Sequence, residues 1–395
     1  MSLSNKFLIQ VTTEMNISRG AFTLANTIVQ GLGIFISPIV SKNLAKGNMR
    51  KIQSISIIGF VLAYASYSLA KSPIHLYMSS FFVGLFYLNS TLIPVSMMVT
   101  NWFVEKRGIA MSVTMAGIGL GGTIFSPIVT NLLQNYGWRH TYLIMAGIIL
   151  VVALPVALFV LKKSPEQMGL KAYGAEKQAA NNAKQGTKKQ GVLISVKESK
   201  TKLFFLLMIV GMLANGIINS GALGQFPPAL EELHGASVQA AIISLYSLVG
   251  IFGKIFIGWI NDKFGVVVSA TYGCIMFGLA FVFMLLGQNT NMLYIMAVVF
   301  GFGNAIGTVI PPLVTSEVFG MEKYPEAYGM VNSATQVGLS LGSLLVASMY
   351  DLNGSYTLAW MLLLVLTAVT LFSWVGSCIV AKRYMASDVE LKQAQ

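Results

Sequence analysis

Eleven apolar runs, separated by short polar segments, constrain the fold of this chain more than any other sequence feature. Each run approaches the ~20 residues that a helix needs to cross a bilayer. Since 55% of the 395 residues are hydrophobic and 10% are charged, the apolar surface exceeds what a soluble chain of this length needs. We predict an all-α integral membrane protein with spans at 21–40, 52–70, 74–100, 108–133, 141–161, 203–223, 238–260, 266–287, 292–316, 327–350 and 356–381.

The sequence also repeats itself at an offset of about 218 residues. Gly47 ends the segment SPIVSKNLAKG, and Gly265 ends the matching segment GWINDKFG. Two glycine-rich runs recur at a similar offset, around Gly117 and Gly121 and around Gly338 and Gly342. Two parallel repeats of membrane helices are typical of a large class of transporters.

The repeat predicts two pseudo-symmetric bundles, an N-terminal one at 1–161 and a C-terminal one at 203–395. Their connection, 162–202, is predicted to be a tether, in which the stretch GAEKQAANNAKQGTKKQG should be largely unstructured because it has almost no apolar residues, while 164–170 is expected to fold along the membrane surface. The span at 203–223 would have a partner that begins before Met1. We therefore interpret residues 1–20 as the end of a first helix and its external loop.

The net charge of +12 is distributed unevenly. Lysines and arginines concentrate in the loops 41–51, 101–107 and 162–202 and in the C-terminal tail, which are all predicted to lie on one side. This positive-inside pattern predicts a multi-pass protein of the cell membrane with a cytoplasmic C-terminus. The basic linker contains one aromatic residue, Tyr173, so nucleic-acid binding is disfavoured.

Lys254 is the main candidate for substrate binding. It lies eight residues before Asp262 in the span 238–260, or ~12 Å along a helix, which is too deep for its side chain to reach the membrane surface easily. A charge at this depth needs water or a partner, and no acidic residue lies in the middle of any predicted span. An anionic substrate is the favoured partner; a structural ion pair with a distant carboxylate is the alternative.

We assign Asp262 and Arg107 to gating, at the cytoplasmic ends of their helices. Asp262 opposes the dipole of its own helix, so it is expected to have a basic partner on a neighbouring segment. Gly117 and Gly121 lie one turn apart, and they are expected to form either a tight helix contact or a sliding surface between the halves. The first repeat has Leu44 where the second has Asp262.

Amide side chains recur at one-turn spacing within the spans, and they are candidates for lining a water-accessible path. Bonding between helices is an equally good explanation for any single one of them. The candidates for substrate contact are Asn89, Asn215, Asn219, Asn304, Asn332 and Gln336.

No enzyme active site, cofactor site or metal site is suggested by the sequence. His75, His140 and His234 are far apart, and no nucleophile, base and acid form a group. The two cysteines, Cys274 and Cys378, both lie in apolar spans and are interpreted as packing residues.

Several motifs resemble those of the major facilitator superfamily. The segment GxxGKxxxGWxNDKFG (250–265) is similar to that superfamily's loop signature between helices eight and nine. NWFVEKRGIAMS (101–112), AGIGLGG (116–122), GWR (137–139), SPEQMGL (164–170), SEVFG (316–320) and YDLNGSY (350–356) resemble the monocarboxylate and oxalate/formate transporter branch.

The resemblance implies twelve helices in two bundles that work by alternating access, with the first run in this chain as helix two. In that branch an arginine on helix eight commonly holds the substrate carboxylate, and Lys254 stands at the matching position. The oxalate-exchanging type has a second basic residue on helix eleven. Because residues 327–350 contain no Lys or Arg, a monoanion is favoured over a dianion.

The sequence thus predicts a carrier for a small monocarboxylate such as lactate, formate or pyruvate, coupled to a proton or working by anion exchange. The expected partners are the organic anion, a proton and the lipid bilayer, and a monomer is favoured. Two alternatives stay open. One is a carrier of drugs or amphiphiles, for which 21 methionines could provide adaptable walls. The other is a truncated, transport-inactive protein.

Overall fold

The structure is a computed structural model that describes residues 4–176 and 191–385. Within that part of the chain it is all-α apart from one isolated backbone bridge between Phe103 and Tyr173. The helices are α1 Leu8–Met15, α2 Arg19–Lys46, α3 Met49–Ser66, α4 Pro73–Ser90, α5 Leu92–Trp102, α6 Arg107–Pro155, α7 Val196–Ser199, α8 Leu203–Phe264, α9 Val266–Leu285, α10 Thr290–Gly303, α11 Ile310–Asn353 and α12 Thr357–Ala381.

The eleven predicted spans are confirmed. Nine helical stretches in the described residues are long and apolar enough to cross a membrane. Two of these contain a turn, at Gly137 in α6 and at Gly320 in α11, so they comprise four spans. A third turn, at Gly235, divides α8 into the segments 203–234 and 236–264.

The repeat is visible in the backbone as well as in the sequence. Residues with positive φ recur in pairs separated by 214 to 219 positions: Asn16 and Gly235, Lys106 and Gly320, and Gly137 and Gly354. Asn16 adopts the left-handed helical conformation, which asparagine tolerates, whereas Gly137, Gly235 and Gly320 combine a positive φ with an extended ψ that is available almost only to glycine. Asn16 ends α1 at the position where Gly235 ends the first segment of α8 in the second repeat. Residues 8–15 therefore form the helix end that the repeat predicts.

The described chain forms two compact units, Met1–Met98 with Ile118–Lys163 and Val99–Gly117 with Ser164–Gln395. In the first unit, the ring of Phe7, the residue just before α1, stacks on Tyr142, with ring centroids 4.1 Å apart. Glu14 of α1 accepts a hydrogen bond from Trp138 Nε1 at 2.6 Å and pairs with Arg139 at 3.0 Å. A short helix with one buried residue, Val11, is thereby held to the core.

The second unit contains a close helix contact built on glycine. A Cβ atom at Gly338 would lie 2.2 Å from Leu213 O, and one at Gly342 would lie 2.3 Å from Ile217 O. Because side chains are absent, the backbones of α11 and the first segment of α8 can touch. These glycines therefore act as tight-packing residues.

The two described ends of the linker are held by backbone hydrogen bonds. The prediction of an unstructured stretch falls mostly on residues 177–190, which lie outside the described residues. Tyr173 N donates to Trp102 O at 2.8 Å, and Val192 N donates to Val318 O at 2.9 Å. Lys323 Nζ donates to the carbonyls of Val192, Leu193 and Ile194 at 2.6 to 3.0 Å. Backbone hydrogen bonds and a buried Val192 give these ends an order that polar composition alone did not predict.

Candidate functional site

Lys254 lies in the second segment of α8, ten residues before the helix ends at Phe264, or ~15 Å along its axis. Its side chain is buried, with 9% of its surface exposed. The same segment packs closely on the end of α10, since a Cβ atom at Gly253 would lie 2.4 Å from Gly301 O. The backbone beside Lys254 is thus held against α10 within the second unit.

The ammonium of Lys254 has one weak protein contact. Its Nζ donates to Met115 O over 3.4 Å, near the limit for a hydrogen bond. Among the described residues, no carboxylate lies within the 4.0 Å ion-pairing distance of this nitrogen. A buried cation is costly without a partner, so the position is suited to an anion that arrives from solution.

Gly258 lies one turn beyond Lys254 and brings α8 against the start of α6. A Cβ atom at Gly258 would lie 2.2 Å from Ser112 Oγ and 2.4 Å from Gly108 O. The reverse contact is equally close, because a Cβ atom at Gly108 would lie 2.4 Å from Gly258 O. This glycine pair was not recognised from the sequence, although both positions fall in the quoted motifs.

Asp262 lies one further turn along the same face. Its Oδ1 accepts from Gly108 N at 2.6 Å and its Oδ2 from Ile109 N at 2.8 Å. The unpaired N–H groups and the positive dipole end of α6 compensate its charge, and among the described residues no basic side chain lies within 4.0 Å of it. Arg107 interacts with Asp262 electrostatically at longer range, which is consistent with the expected basic partner on a neighbouring segment.

Arg107, the first residue of α6, turns to a different neighbour. Its Nη2 donates to the Met321 sulfur at 2.9 Å, and its Nε donates to Phe103 O at 3.1 Å. Thioether sulfur is a weak acceptor, so the contact with α11 is breakable. Arg107 and Asp262 thus both hold the first turn of α6 inside the second unit.

Asn215 and Asn219 share a face of α8, as their spacing predicts. Asn219 Nδ2 donates to Asn215 Oδ1 at 2.9 Å and to Asn215 O at 2.8 Å. Asn219 also faces the short helix Asn304–Gly307, since a Cβ atom at Gly307 would lie 2.3 Å from Asn219 Oδ1. These amides therefore join two segments of the second unit.

Asn332 and Gln336 lie on α11 and are both buried, each with 5% of its surface exposed. This part of α11 packs against α8, because a Cβ atom at Gly216 would lie 2.3 Å from Thr335 O. Two polar atoms here, Gln336 Oε1 and Asn215 Nδ2, lack a hydrogen-bond partner among the described residues. An unsatisfied buried polar atom costs about 1–3 kcal/mol, which favours a site for a ligand or water.

Asn89 and Asn304 mark corresponding breaks in two spans. Asn89 is the last residue but one of α4, where α5 takes over, and Asn304 begins the 3-10 turn after α10. Asn304 lies near the lysine, because its Nδ2 would be 3.6 Å from a Cβ atom at Gly250, one turn before Lys254. Asn89 belongs to the first unit and donates to Leu85 O of its own helix at 3.4 Å.

Gly117 and Gly121 do not make the tight contact that their spacing suggested. A Cβ atom at either position would meet no heavy atom of the described structure within 4 Å. The tight-packing interpretation is wrong for this pair, because one-turn spacing defines a shared face but does not supply a neighbour. Gly121 instead lines a cavity in the first unit.

That cavity has a volume of about 380 Å³ and an aromatic lining. Phe22, Tyr64, Tyr87 and Phe125 contribute to it, together with the amide of Asn26. The described residues that line it include no charged side chain. Its size falls in the range of small-molecule sites, and its chemistry suits an uncharged or apolar group.

Known proteins share this architecture. The sequence model described as Major Facilitator Superfamily matches residues 2–265 and 208–389. The chain belongs to the Major Facilitator Superfamily. It is a transporter and not an enzyme, as the sequence predicted, and the resemblance to the monocarboxylate transporter branch is confirmed.

Relatives in this superfamily include monocarboxylate transporter 12-B of Danio rerio, which is 26% identical over 331 residues, 74% of this chain and 67% of that protein. Monocarboxylate transporter 12 of Rattus norvegicus is 25% identical over 367 residues, 85% of this chain and 73% of that protein. The solved structure of the human organic anion transporter MFSD10 (TETRAN) has a TM-score of 0.69 at 14% identity, covering 92% of this chain and 87% of that one. At that identity the likeness concerns the fold.

Proposed function

We propose that this transporter moves a small monocarboxylate, of the lactate, formate or pyruvate type, across the cell membrane by alternating access. The observation that carries the proposal is Lys254, a buried cation without a carboxylate partner in the described chain. A carboxylate arriving at its Nζ gains a charge-assisted hydrogen bond and removes the cost of the unpaired charge. The relatives named monocarboxylate transporters support the same substrate class.

The buried amides of the second unit would orient the rest of the substrate. Asn215 Nδ2 and Gln336 Oε1 offer a free donor and a free acceptor, which match the hydroxyl or carbonyl oxygens of a small hydroxy or keto acid. Asn304, at the end of α10, would be the amide closest to Lys254 along the substrate path. Asn219 and Asn332 would hold this polar region in shape, and Asn89 would mark the corresponding break in the first bundle.

Coupling of substrate transport to a proton would depend on the same lysine. If Lys254 is neutral in the empty carrier, it takes up one proton as the anion binds and releases both on the other side. Exchange of one anion for another is the alternative, in which the lysine stays charged throughout. An imposed pH gradient distinguishes the two, since it drives uptake only in the first case.

Gating would involve the contact of Asp262 with the first turn of α6. Opening the carrier on that side would require the two hydrogen bonds to Gly108 and Ile109 to separate, with Arg107 leaving Met321. We assign that side and the C-terminus to the cytoplasm, the bundles to 1–161 and 203–395, and the active form to a monomer. Gly117 and Gly121 would then form contacts only in another state of the cycle.

The decisive experiment measures uptake of labelled lactate and formate into proteoliposomes by three proteins. We expect Lys254→Ala to lower uptake by about 30-fold or more, because a charge-assisted hydrogen bond is lost, and Lys254→Arg to keep part of the activity. Lys200→Ala removes an exposed lysine of the linker and serves as the matched control. Uptake by Lys254→Ala at the control's rate would refute the proposal.

A second candidate function is favoured by the aromatic cavity of the first unit. An uncharged lining of about 380 Å³ fits an amphiphile or drug better than it fits an anion. Only one methionine, Met145, is among the described lining residues, so aromatic rings rather than methionines would provide the contact. Competition separates the candidates: under the first, lactate uptake should be blocked by other carboxylates and not by lipophilic cations, whereas under the second the protein should take up an amphiphile and a carboxylate should not compete with it. A protein that transports neither class would fit the transport-inactive alternative.

A further inference from the structure

One stripe of α2 combines exposed apolar and basic side chains. Phe35 and Ile39 are 74% and 59% exposed, and Lys42 and Lys46 follow on the same face at helical spacing. In a membrane protein an exposed apolar face contacts lipid chains. The stripe therefore runs from the acyl region of the bilayer to two ammonium groups at one membrane surface.

The two lysines border a concave site. A pocket of about 390 Å³ is lined by Lys42, Asn43, Lys46, Gly47 and Ile52, at the junction of α2 and α3. Its polar side chains are two cations and one amide, and the exposed Ile39 lies one turn before Lys42 and Asn43 on the same helix. The pocket thus offers hydrogen-bond donors to an anion at the depth of a lipid headgroup.

The surrounding charge is uncompensated. The sequence contains no Asp or Glu between Met15 and Val104, and Arg50 and Lys51 follow immediately at the start of α3. Among the described residues, no carboxylate lies within 4.0 Å of the amino groups of Lys42 and Lys46. At the corresponding positions of the second repeat stand Ile260 and Phe264, so only the first repeat has this feature.

We propose that this stripe binds one anionic phospholipid. The phosphate of the lipid sits between Lys42 and Lys46 with the Asn43 amide as a further donor, and one acyl chain follows Ile39 and Phe35. Each lysine near an anionic membrane surface contributes about a fivefold gain in affinity. The ligand is a lipid rather than a free phosphate because the apolar half of the stripe is continuous with the basic half.

The test is native mass spectrometry of the full chain in detergent, titrated with phosphatidylglycerol, phosphatidylcholine or inorganic phosphate. We expect phosphatidylglycerol to bind at least tenfold more tightly than phosphatidylcholine. The Lys42→Gln/Lys46→Gln variant should lose about 10- to 30-fold in phosphatidylglycerol affinity. The Lys197→Gln/Lys200→Gln variant, which removes the same charge from exposed positions of the linker, should stay within twofold of the wild type.

A third variant, Phe35→Ala/Ile39→Ala, separates lipid from phosphate. It should weaken phosphatidylglycerol binding severalfold and leave any binding of inorganic phosphate unchanged. Equal losses of phosphatidylglycerol affinity in the Lys42→Gln/Lys46→Gln and Lys197→Gln/Lys200→Gln variants would overturn the proposal, because lipid binding would then depend on net charge alone. Unchanged lipid binding by the Phe35→Ala/Ile39→Ala variant, or displacement of the lipid by inorganic phosphate at equal concentration, would overturn it in favour of a simple anion site.

Discussion

Residues 36–47 and 254–265 occupy corresponding positions in the two repeats, and each segment ends its helix at a glycine that makes the same backbone hydrogen bond. Gly47 N donates to Asn43 O at 2.8 Å, and Gly265 N donates to Asn261 O at 2.8 Å. Between these shared ends the two faces differ. The first has Ile36, Val40 and Leu44, whereas the second has Lys254, Gly258 and Asp262.

The difference shows how a duplicated helix acquires a function without changing its fold. Val40 and Leu44 are buried, with 2% and 0% of their surface exposed, as ordinary packing residues are. In the second repeat a glycine admits the backbone of α6, an acid caps that helix, and a lysine is left with a weak carbonyl contact. Exchanging residues between the repeats therefore tests each part of the comparison.

The largest effect on stability is expected from Gly258→Val, which introduces the residue of the first repeat. Its Cβ would overlap Ser112 Oγ and Gly108 O, and overpacking of this kind costs about 2–3 kcal/mol. Thermal unfolding in detergent, followed by tryptophan fluorescence, measures the loss. Gly117→Val is the control, because a Cβ atom at Gly117 would meet no heavy atom of the described structure within 4 Å, and an equal loss in both variants would show that the glycine contact is unimportant.

A smaller effect is expected from Asp262→Leu, which makes the second repeat resemble the first. The backbone N–H groups of Gly108 and Ile109 lose their acceptor, which costs about 1–2 kcal/mol for a helix cap with charge. The first turn of α6 should loosen.

Labelling measures that loosening directly. Ser112 is fully buried, so a cysteine placed there should react slowly with maleimide in the parent protein. We expect Asp262→Leu to speed the reaction by about tenfold. Asp262→Asn keeps one acceptor oxygen and should give an intermediate rate; identical rates in all three proteins would remove Asp262 from gating.

The smallest effect is expected from Gln336→Met. The substitution removes the unpaired acceptor Oε1 from a buried site at nearly constant volume, so the free energy of unfolding should stay within about 1 kcal/mol and rise if anything. Lactate uptake should nevertheless fall severalfold. Ser340→Ala, one turn along α11, is the control variant; a loss of stability without a loss of uptake would assign Gln336 to structure.

The sequence was sufficient for features that depend on local pattern. Hydropathy and helical spacing predict the eleven spans, the repeat and the shared face of Asn215 and Asn219. The burial of Lys254 followed from its depth in an apolar run. These properties are set within one helix.

Contacts between distant helices were beyond such reasoning. Asp262 meets Gly108 across 154 positions, and nothing in either segment alone identifies the other. Gly117 and Gly121 have the spacing of a contact pair but no neighbour, whereas Gly258 forms a contact without a one-turn glycine partner in its own helix. The hydrogen bonds at the two ends of the linker are of the same kind, since they join Tyr173 to Trp102 and Val192 to Val318.

The two anchored ends of the linker have a consequence for protein engineering. Gly174 lies against Glu105 and Gly191 against Gly320, so each end has its own attachment before the intervening residues begin. A chain cut between these glycines and produced as two polypeptides would keep both attachments. Such a split carrier would allow each fragment to be labelled separately for spectroscopy.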